Sequence, residues 1–397
     1  IALGETRLKR FSSYEQLRSS IWESIYQRWA GSSYHLLSLQ DSLLSPDYSK
    51  TNNQVEGVDE GDIVKTDGQY IYIVSGKKVT ILKAYPPEEA EILSQITLNG
   101  TLHGLFINEN KMVILEGSTF IRVYDVSNRA NPVSKRNATS DGYYFNSRMI
   151  GDYVYAVINK RACVSETWVS LPIICSNGEV KEIDATQVYY SPICDSFSTF
   201  ATIIAVNTQN DAQEPTEMTI LLGGASNMYV SMNNIYITFQ GYSGEPTLKS
   251  LTSLVNVLPI EEAWGTIIHR IHIEDGQIEE GASGHVQGRV LNQFSMDEYN
   301  GYFRIATTTG EVSRGGEGTA LNHVYVLDMN LNIVGRLENL APGEKIHSTR
   351  FMSDRCYVVT FKKIDPLFVI DLSNPSSPIV LGDLHIPGYS DYLHPYD

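Results

Sequence analysis

The sequence predicts an all-β protein: a β-propeller of four-stranded antiparallel blades, preceded by a short N-terminal helix. Three stretches resemble one another: FIRVYDVSNRANPVSKRN near residue 120, VYVLDMNLNIVGRLENL near residue 324 and LFVIDLSNPSSPIVLGDLHI near residue 367. Each is an alternating apolar strand that ends near Asp, followed by a polar turn and another strand, and such a recurring unit is typical of repeat architectures. The 24 tyrosines and 30 glycines favour strands and turns.

Residues 1–60 are predicted to form a helix and a linker that pack on the propeller. Ser12, with Glu15 three residues later, makes a capping box and marks the start of the helix, and Gly31 marks its end. Large apolar residues recur at a spacing of four on one face: Leu17, Ile21, Ile25 and Trp29. We expect this face to lie against the main body.

From residue 61 onward the pattern is that of strands. Six hairpins place a tight polar turn before a strand rich in Tyr, Val and Ile: KTDGQYIYIVSG, INENKMVILEG, IGDYVYAVIN, SMNNIYITFQG, DEYNGYFRIATTTG and MSDRCYVVTF. The strongest turn signals are Asp67-Gly68 and Asn300-Gly301. A short apolar segment such as LHGLFI precedes each turn, and we interpret it as the innermost strand of a blade.

The hairpins define six complete blades, at residues 61–100, 101–139, 140–225, 226–288, 289–343 and 344–388. The undecorated ones approach the roughly 40–45 residues of a propeller blade. The segment YSDYLHPYD then begins another blade. Because a ring closes to remove its sheet edges, we expect the propeller at 61–397 to be truncated and to continue beyond Asp397. A β-sandwich would not repeat one hairpin in a single register, and a flat solenoid would need shorter, more uniform units.

Two blades carry long insertions between their second and third strands, at residues 160–196 and 241–264. In a propeller these connections open on one face, so both insertions are expected to rise from the same rim. Neighbouring long loops on a rigid scaffold are common binding surfaces. The sequence therefore predicts a protein or glycan partner on this rim. In the second insertion, a short amphipathic helix with Leu248, Leu251 and Leu254 is either a lid on its own blade or a contact surface.

The first insertion holds Cys163, Cys175 and Cys194. Their clustering suggests a disulfide in an oxidising compartment, although the pairing of three cysteines cannot be read from their spacing. A zinc site is the alternative, but neither a short paired Cys spacing nor a nearby His supports it. Cys356 lies in an alternating strand and is predicted to be a buried thiol.

The densest cluster of carboxylates lies where the chain enters the first blade, in VEGVDEGDIVKTDG. Asp59, Glu60 and Asp62 are candidate ligands for a hard cation such as Ca²⁺, which prefers oxygen ligands. The alternative is a solvated turn whose side chains cap backbone groups. No other cofactor is predicted.

Composition restricts the partners and the location. The formal net charge of −16 repels phosphate backbones, which argues against a nucleic-acid partner. The sequence contains no run of about 18 apolar residues, so it predicts no membrane span. A start at Ile1 without Met agrees with a cleaved secretion signal or a shortened chain. The acceptor sequons at Asn99 and Asn137 are candidate glycosylation sites that suit an exported surface protein.

No catalytic residues are assigned from the sequence. Phosphate loops, zinc-protease helices, helix-loop-helix calcium loops and Gly-flanked serine elbows do not occur in it. The histidines that a general base would require fall at different strand positions and are not predicted to meet: His103, His269, His272, His347 and His394.

Long segments of the chain resemble a known family. They are TNNQVEGVDEGDIVKTDGQYIYIVSG, VLNQFSMDEYNGYFRIATTTG and GEKIHSTRFMSDRCYVVTFKKIDPLFVIDLSNPSSP, continuing to GYSDYLHPYD. The family consists of secreted archaeal and bacterial proteins with a β-propeller domain distantly related to WD-type repeats and without an assigned activity. The resemblance implies export, a cell-surface or extracellular setting and a propeller fold, and it supplies no catalytic residues.

These observations favour a secreted or cell-surface propeller that binds or scaffolds a protein, glycan or envelope partner. The alternative function is that of a hydrolase or lyase with its site in the central funnel. An enzyme would gather His, carboxylate or metal ligands at the blade axis, whereas a scaffold would show plain packing there.

Overall fold

Strands form most of the protein in the computed structural model, which describes residues 7–30, 53–117, 120–193, 197–242, 264–312, 318–361, 365–386 and 392–393. Three elements precede the blades: strand β1 (Lys9–Arg10), helix α1 (Tyr14–Ala30) and strand β2 (Val58–Glu60). The strands that follow are organised as six consecutive four-stranded antiparallel blades, as the sequence predicts.

The first two blades follow the expected order from the inner strand to the outer one. Blade 1 consists of β3 (Val64–Thr66), β4 (Tyr70–Ser75), β5 (Lys78–Lys83) and β6 (Glu91–Thr97). Blade 2 consists of β7 (Leu102–Asn108), β8 (Lys111–Glu116), β9 (Phe120–Asp125) and β10 (Val133–Ser140).

Blade 3 contains the first insertion. Its inner strands are β11 (Tyr143–Ile150) and β12 (Tyr153–Arg161). The insertion forms β13 (Ile173–Ser176), β14 (Glu179–Glu182) and β15 (Val188–Tyr190). The outer strands of the blade are β16 (Thr199–Asn207) and β17 (Thr216–Leu222).

The last three blades complete the series. Blade 4 consists of β18 (Asn227–Val230), β19 (Asn234–Tyr242), β20 (Trp264–Glu274) and β21 (Gln277–Gln287). A short strand, β22 (Arg289–Val290), precedes blade 5, which consists of β23 (Met296–Tyr299), β24 (Tyr302–Thr309), β25 (Leu321–Leu327) and β26 (Ile333–Leu340). Blade 6 consists of β27 (Lys345–Met352), β28 (Arg355–Phe361), β29 (Asp365–Asp371) and β30 (Ile379–Ile386).

The two strongest turn signals work by different chemistry. Asn300 and Gly301 both have positive φ, 51° and 76°, which matches the right-handed twist of the strands they connect. At the other turn only Gly68 has positive φ. There the Asp67 carboxylate accepts hydrogen bonds from the backbone N–H groups of Gln69 and Tyr70. Both turns lie where the sequence predicts them.

Five hydrophobic cores join neighbouring blades. They lie between blades 1 and 2, 2 and 3, 3 and 4, 4 and 5, and 5 and 6. Each is built from alternate residues of facing sheets, because successive side chains of a strand point to opposite faces. The second strands of the middle blades are consequently buried on both faces, and all six residues of β8 are buried.

The junction between blades 6 and 1 differs from the other five. Among the described residues, no hydrophobic core joins these two blades. Of the six residues in β4, Tyr72 alone is fully buried, and it faces blade 2. The opposite face of blade 1 is only partly covered.

Helix α1 packs on the propeller, and its cap is one residue later than predicted. Ser13 Oγ accepts a hydrogen bond from the backbone N–H of Gln16 (3.2 Å), and the Gln16 side chain accepts one from Ser12 N (2.7 Å). Gln16 therefore takes the role predicted for Glu15, which instead forms an ion pair with Arg18. Leu17 and Ile21 are fully buried, whereas the side chains of Ile25 and Trp29, and Gly31, lie outside the described residues.

The first insertion does not simply rise from the rim. The hairpin β13–β14 pairs with β10 and extends the sheet of blade 2 outward. Strand β15 pairs in parallel with β17, and β1 then pairs with β15, so the sheet of blade 3 is extended as well. Free sheet edges are templates for added strands. Hydrophobic periodicity in the sequence does not reveal which sheet edge such a strand pairs with. Most of the second insertion, residues 243–263, lies outside the described residues.

Candidate functional site at the junction of blades 2 and 3

Residues 53–62, which precede the first blade, lie among the inner strands, and we call this segment the plug. Its strand β2 pairs antiparallel with β11, the inner strand of blade 3. Asp62 and Leu105, in the inner strand of blade 2, exchange backbone hydrogen bonds of 3.3 and 2.8 Å. The side chain of Gln54 donates to the carbonyl of Met296 (2.9 Å), at the start of the inner strand of blade 5. Contacts with the inner strands of three blades place the plug at the centre of the ring.

The plug holds the three carboxylates that are candidates for a cation site, and each has its own partner. Asp59 accepts a hydrogen bond from Lys65 Nζ (2.6 Å). Glu60 lies 3.5 Å from Arg148. Asp62 accepts a hydrogen bond from the backbone N–H of the next residue (2.7 Å). Within the described residues, no group of three Asp, Glu, His or Cys side chains is arranged to hold a metal ion.

A polar network joins the plug to both sides of the ring. Arg148, on β11, is buried and donates to the side-chain oxygen of Gln293 (2.8 Å), just before blade 5. The amide of Gln293 in turn donates to Glu60 (3.4 Å). The charges of Arg148 and Glu60 are therefore paired within this network, as buried charges require.

A small cleft opens between blades 2 and 3, at the end where the second strand of each blade finishes. The cleft is a shallow surface indentation. The imidazole of His103 stacks on the ring of Tyr144, with centroids 4.7 Å apart and an interplanar angle of 25°. His103 Nε2 donates to the carbonyl of Gly117 (2.6 Å). Phe120 also lines the cleft and is 39% exposed, and the Arg122 guanidinium lies over its ring, 4.8 Å from the ring centroid.

Glu116 forms the polar side of the cleft. Its carboxylate accepts hydrogen bonds from the backbone N–H groups of Asn99 (2.9 Å) and Gly100 (2.8 Å), and it also pairs with Arg122. Burial alone would raise the pKa of Glu116, but the hydrogen bond from Gly100 and the contact with Arg122 outweigh it, so that the pKa lies below its usual value. The carboxylate is therefore a fixed negative charge that orders the mouth of the cleft.

Helix α1 and residues 162–193 pack at the same junction, and we call them the flank. Tyr14 of the helix accepts a hydrogen bond from the backbone N–H of Val169 (2.7 Å). Leu17 and Ile21 share one hydrophobic core with apolar residues of blades 2 and 3 and of the insertion. The insertion leaves β12 just beyond Ile158, which lines the cleft. Cleft and flank together form the decorated junction.

The cysteines of the insertion are not joined where the structure describes them. Cys163 is exposed and Cys175 is half-buried, and both are free thiols, whereas Cys194 lies outside the described residues. Cys356 is fully buried, as the sequence predicts, and burial raises the pKa of its thiol.

Both sequon asparagines are exposed. Asn99 lies beside the cleft, where its backbone N–H is held by Glu116. Asn137 lies on β10, and its side-chain oxygen accepts a hydrogen bond from Arg122 (2.8 Å). In the described part of the chain, no helix is both long and apolar enough to cross a membrane.

The blades and their register agree with a comparison of the chain with known families. The sequence model of the family described as "Beta propeller domain" matches residues 48–397. The chain belongs to this family. The match includes the plug as well as all six blades.

Two archaeal proteins described as uncharacterized are similar in sequence to this chain. An uncharacterized protein of Methanocaldococcus jannaschii is 30% identical over 462 residues, an alignment that covers 97% of this chain and 71% of that protein. An uncharacterized protein of Archaeoglobus fulgidus is 30% identical over 421 residues, covering 88% of this chain and 65% of that protein.

Two solved structures with low sequence identity also align with most of this chain. Hsv2 of Kluyveromyces marxianus has a TM-score of 0.37 at 10% identity, covering 80% of this chain and 78% of its own. BamB of Moraxella catarrhalis has a TM-score of 0.34 at 11% identity, covering 85% and 93%.

Sequence reasoning did not find the cleft. Its residues come from five strands in two blades, and only their packing brings them together. His103 was recognised as a strand histidine, but its partner Tyr144 lies 41 positions away across a blade junction. The available signal for the cleft was an apolar strand that ends in Glu116, just before the turn at Gly117. A carboxylate buried at a strand end needs hydrogen-bond donors.

Proposed function

We propose that this family member is a secreted or cell-surface propeller that binds a protein or glycan of the cell envelope through the decorated junction. The observation that carries the proposal is that helix α1, the added strands and the aromatic cleft meet at one blade junction. Binding residues commonly lie on additions to a rigid scaffold. A cleft with aromatic walls and a few fixed polar groups is suited to recognition.

The chemistry of the cleft supports binding rather than bond cleavage. The exposed His103 ring, stacked on Tyr144, and the partly exposed Phe120 ring beneath Arg122 offer aromatic surface. Sugar rings and aromatic or aliphatic side chains pack well on such surfaces. Glu116 is already occupied by backbone donors and Arg122, and so it serves to order the site.

The alternative of a hydrolase or lyase places the site in the central funnel. That position is filled by the plug, whose Asp59 and Glu60 are paired with Lys65 and Arg148. A general acid or base has to reach the substrate directly or through one water. Because the plug fills the funnel and its carboxylates are already paired, a binding role is favoured over catalysis there.

A secreted or cell-surface location is part of the proposal. It is supported by the exposure of Asn99 and Asn137 in their sequons and by the resemblance to secreted proteins. The acidic surface also suits a protein that does not adhere to nucleic acid.

Co-sedimentation with cell envelopes purified from the source organism tests the proposal. We expect saturable sedimentation that persists at about 0.15 M salt, where long-range charge effects are largely screened. Pretreating the envelopes with protease or with periodate distinguishes a protein partner from a glycan. Protein that stays in the supernatant at every envelope concentration would contradict the proposal.

A further inference from the structure

Three of the four tryptophans of the chain have exposed side chains. Trp22 and Trp264 are each 38% exposed, and Trp168 is 51% exposed. The side chain of the fourth, Trp29, lies outside the described residues. Tryptophan is highly buried on average in folded proteins, and it is enriched among the residues that anchor a binding partner. Trp22 and Trp168 both belong to the flank, and we call them the tryptophan pair.

Helix α1 and a turn of the first insertion bring the tryptophan pair together. Arg18 of the helix donates from Nη1 to the carbonyl of Glu166 in the turn (2.5 Å). Because residues four apart lie on the same side of a helix, Trp22 follows Arg18 on the side that faces this turn. Trp168 lies in the turn itself, two residues after Glu166. The two tryptophans therefore line one surface of the flank, although they are distant in sequence.

The turn that carries Trp168 is held by hydrogen bonds on both sides. The backbone N–H of Ser165 donates to the carbonyl of Trp168 (2.7 Å). Ser165 Oγ accepts from the backbone N–H groups of Thr167 (3.3 Å) and Trp168 (3.1 Å). The next residue, Val169, is buried and donates to Tyr14 of the helix. The backbone beneath Trp168 is thus fixed before a partner arrives, which reduces the entropy lost on binding.

Polar and charged groups surround the tryptophan pair. Arg18 forms an ion pair with the exposed Glu15 (2.9 Å), and Glu23, Glu166 and Thr167 are exposed as well. The centre of a protein–protein interface is apolar and depleted of charged residues, which this surface is not. A sugar unit presents an apolar C–H face that packs on an aromatic ring, and its hydroxyl groups bond to polar neighbours. Single rings among hydrogen-bonding groups therefore match a glycan better than a protein.

A lipid surface fits the flank less well than a glycan does. A helix that binds at a membrane interface buries its apolar face among the lipids. In helix α1 the apolar residues Leu17 and Ile21 are already buried in the core between blades 2 and 3. The net charge of −16 also opposes close approach to an anionic surface, whether of lipid or of acidic polysaccharide. A neutral glycan meets neither obstacle.

We propose that the tryptophan pair binds a neutral polysaccharide of the cell envelope, with one sugar unit stacked on each ring. The inference rests on the proposed function, because it names the class of envelope partner that the decorated junction binds. It adds two contact residues that lie outside the cleft.

Titration with the neutral polysaccharide fraction of the source organism's envelopes tests the inference. The fraction is digested with protease and collected as the part that an anion-exchange column does not retain. We expect it to shift the tryptophan emission of the wild type to shorter wavelength in a saturable way, since a stacked sugar removes water from the exposed rings. Native gels that contain the polysaccharide give the Kd of each variant.

The variants assign the binding to the tryptophan pair. Trp22→Ala and Trp168→Ala are each expected to raise the Kd about tenfold or more, as loss of an interface anchor does. Trp168→Phe keeps a ring on the turn and should retain most of the affinity. The matched control is Trp264→Ala on blade 4, since Trp264 and Trp22 have equal exposed fractions, and it should bind like the wild type.

Three results would overturn the inference. The first is wild-type protein that sediments with envelopes but shows neither a shift nor retardation with the polysaccharide, which would leave the proposed function standing. The second is an equal Kd for Trp22→Ala, Trp168→Ala and Trp264→Ala. The third is envelope binding that protease treatment abolishes and periodate does not, which would identify a protein partner. Wild-type protein that neither sediments with envelopes nor binds the polysaccharide would contradict the inference and the proposed function together.

Discussion

Glu60 and Arg148 are direct cross-strand partners in the pairing of β2 with β11, and their side chains lie 3.5 Å apart. Glu60 belongs to the plug, ahead of blade 1, whereas Arg148 lies in blade 3. Opposite charges directly across two strands attract each other. This pair therefore fastens the segment before the first blade to the inner edge of a blade far away in the sequence.

Replacing the acid of this pair is expected to destabilise the whole propeller. Glu60→Gln keeps the shape of the side chain but leaves the buried Arg148 without its counter-charge, at a cost of about 1–3 kcal/mol in the free energy of unfolding. Urea unfolding at neutral pH measures it. The matched control Glu88→Gln, in an exposed turn, is expected to stay within about 0.5 kcal/mol of the wild type. Equal unfolding midpoints for both variants would contradict the role given to the plug.

The close approach of blade 2 to the plug depends on Gly104. Its φ is +155°, and a Cβ atom there would lie 3.1 Å from the backbone nitrogen of Asp62. Gly104→Ala is therefore expected to push the plug and β7 apart and to lower stability by about 1–3 kcal/mol. Gly76→Ala is the control for positive φ alone, because a Cβ atom at Gly76 meets no other atom within 4 Å. A larger loss at Gly76 than at Gly104 would show that backbone strain, not contact with the plug, determines the effect.

Buried histidines should make the protein sensitive to mild acid. Burial lowers the pKa of His269 to about 3 and that of His285 to about 4, whereas both titrate near 6.5 when unfolded. Below pH 6.5 the unfolded chain therefore binds protons that the folded chain does not. The contribution of the two neutral histidines to the free energy of unfolding is fully present above that pH. It falls as the pH drops toward 4, by up to about 1.4 kcal/mol per pH unit for each histidine.

Unfolding midpoints between pH 7 and 5 measure this slope. His269→Phe, beside Phe239 in the core, removes one titrating group and is expected to flatten the slope. If His269→Phe had the same slope as the wild type, proton binding at this position would not explain the acid sensitivity.

The flank depends on the buried face of helix α1. Leu17→Ala removes a fully buried side chain from the core shared by blades 2 and 3 and the insertion, and should cost about 2–5 kcal/mol. Limited proteolysis should then cut the helix before the blades. Glu23→Ala, on the exposed side of the same helix, is the control. Equal protection of the helix in both variants would show that Leu17 does not hold it in place.

The blades were predictable from the sequence because their information is local. Alternating strands and turn residues such as Asn300-Gly301 recur at blade spacing, and the register follows from them. The helix was predictable because its signals are local as well. Ser12 and Ser13 are both candidates for its cap, and only the geometry selects Ser13. Such neighbouring candidates are not distinguished by a motif.

The plug and the cleft depend on contacts between residues distant in sequence. The acidic segment gives no sign that Arg148 and Lys65 neutralise it, so the sequence alone suggested a cation site at Asp59, Glu60 and Asp62. The added strands of the insertion were missed for the same reason, since pairing with a blade edge leaves no periodic pattern of its own.

The most direct test of the account is the affinity of cleft variants for purified cell envelopes. Phe120→Ala and His103→Ala remove exposed aromatic surface, and Met352→Ala on blade 6 is a matched control, because Met352 is 41% exposed and Phe120 is 39% exposed. The account predicts that the apparent Kd rises about tenfold or more for the cleft variants, as for interface anchors, while Met352→Ala binds like the wild type. Unchanged affinity in both cleft variants, with wild-type stability, would contradict binding through the decorated junction.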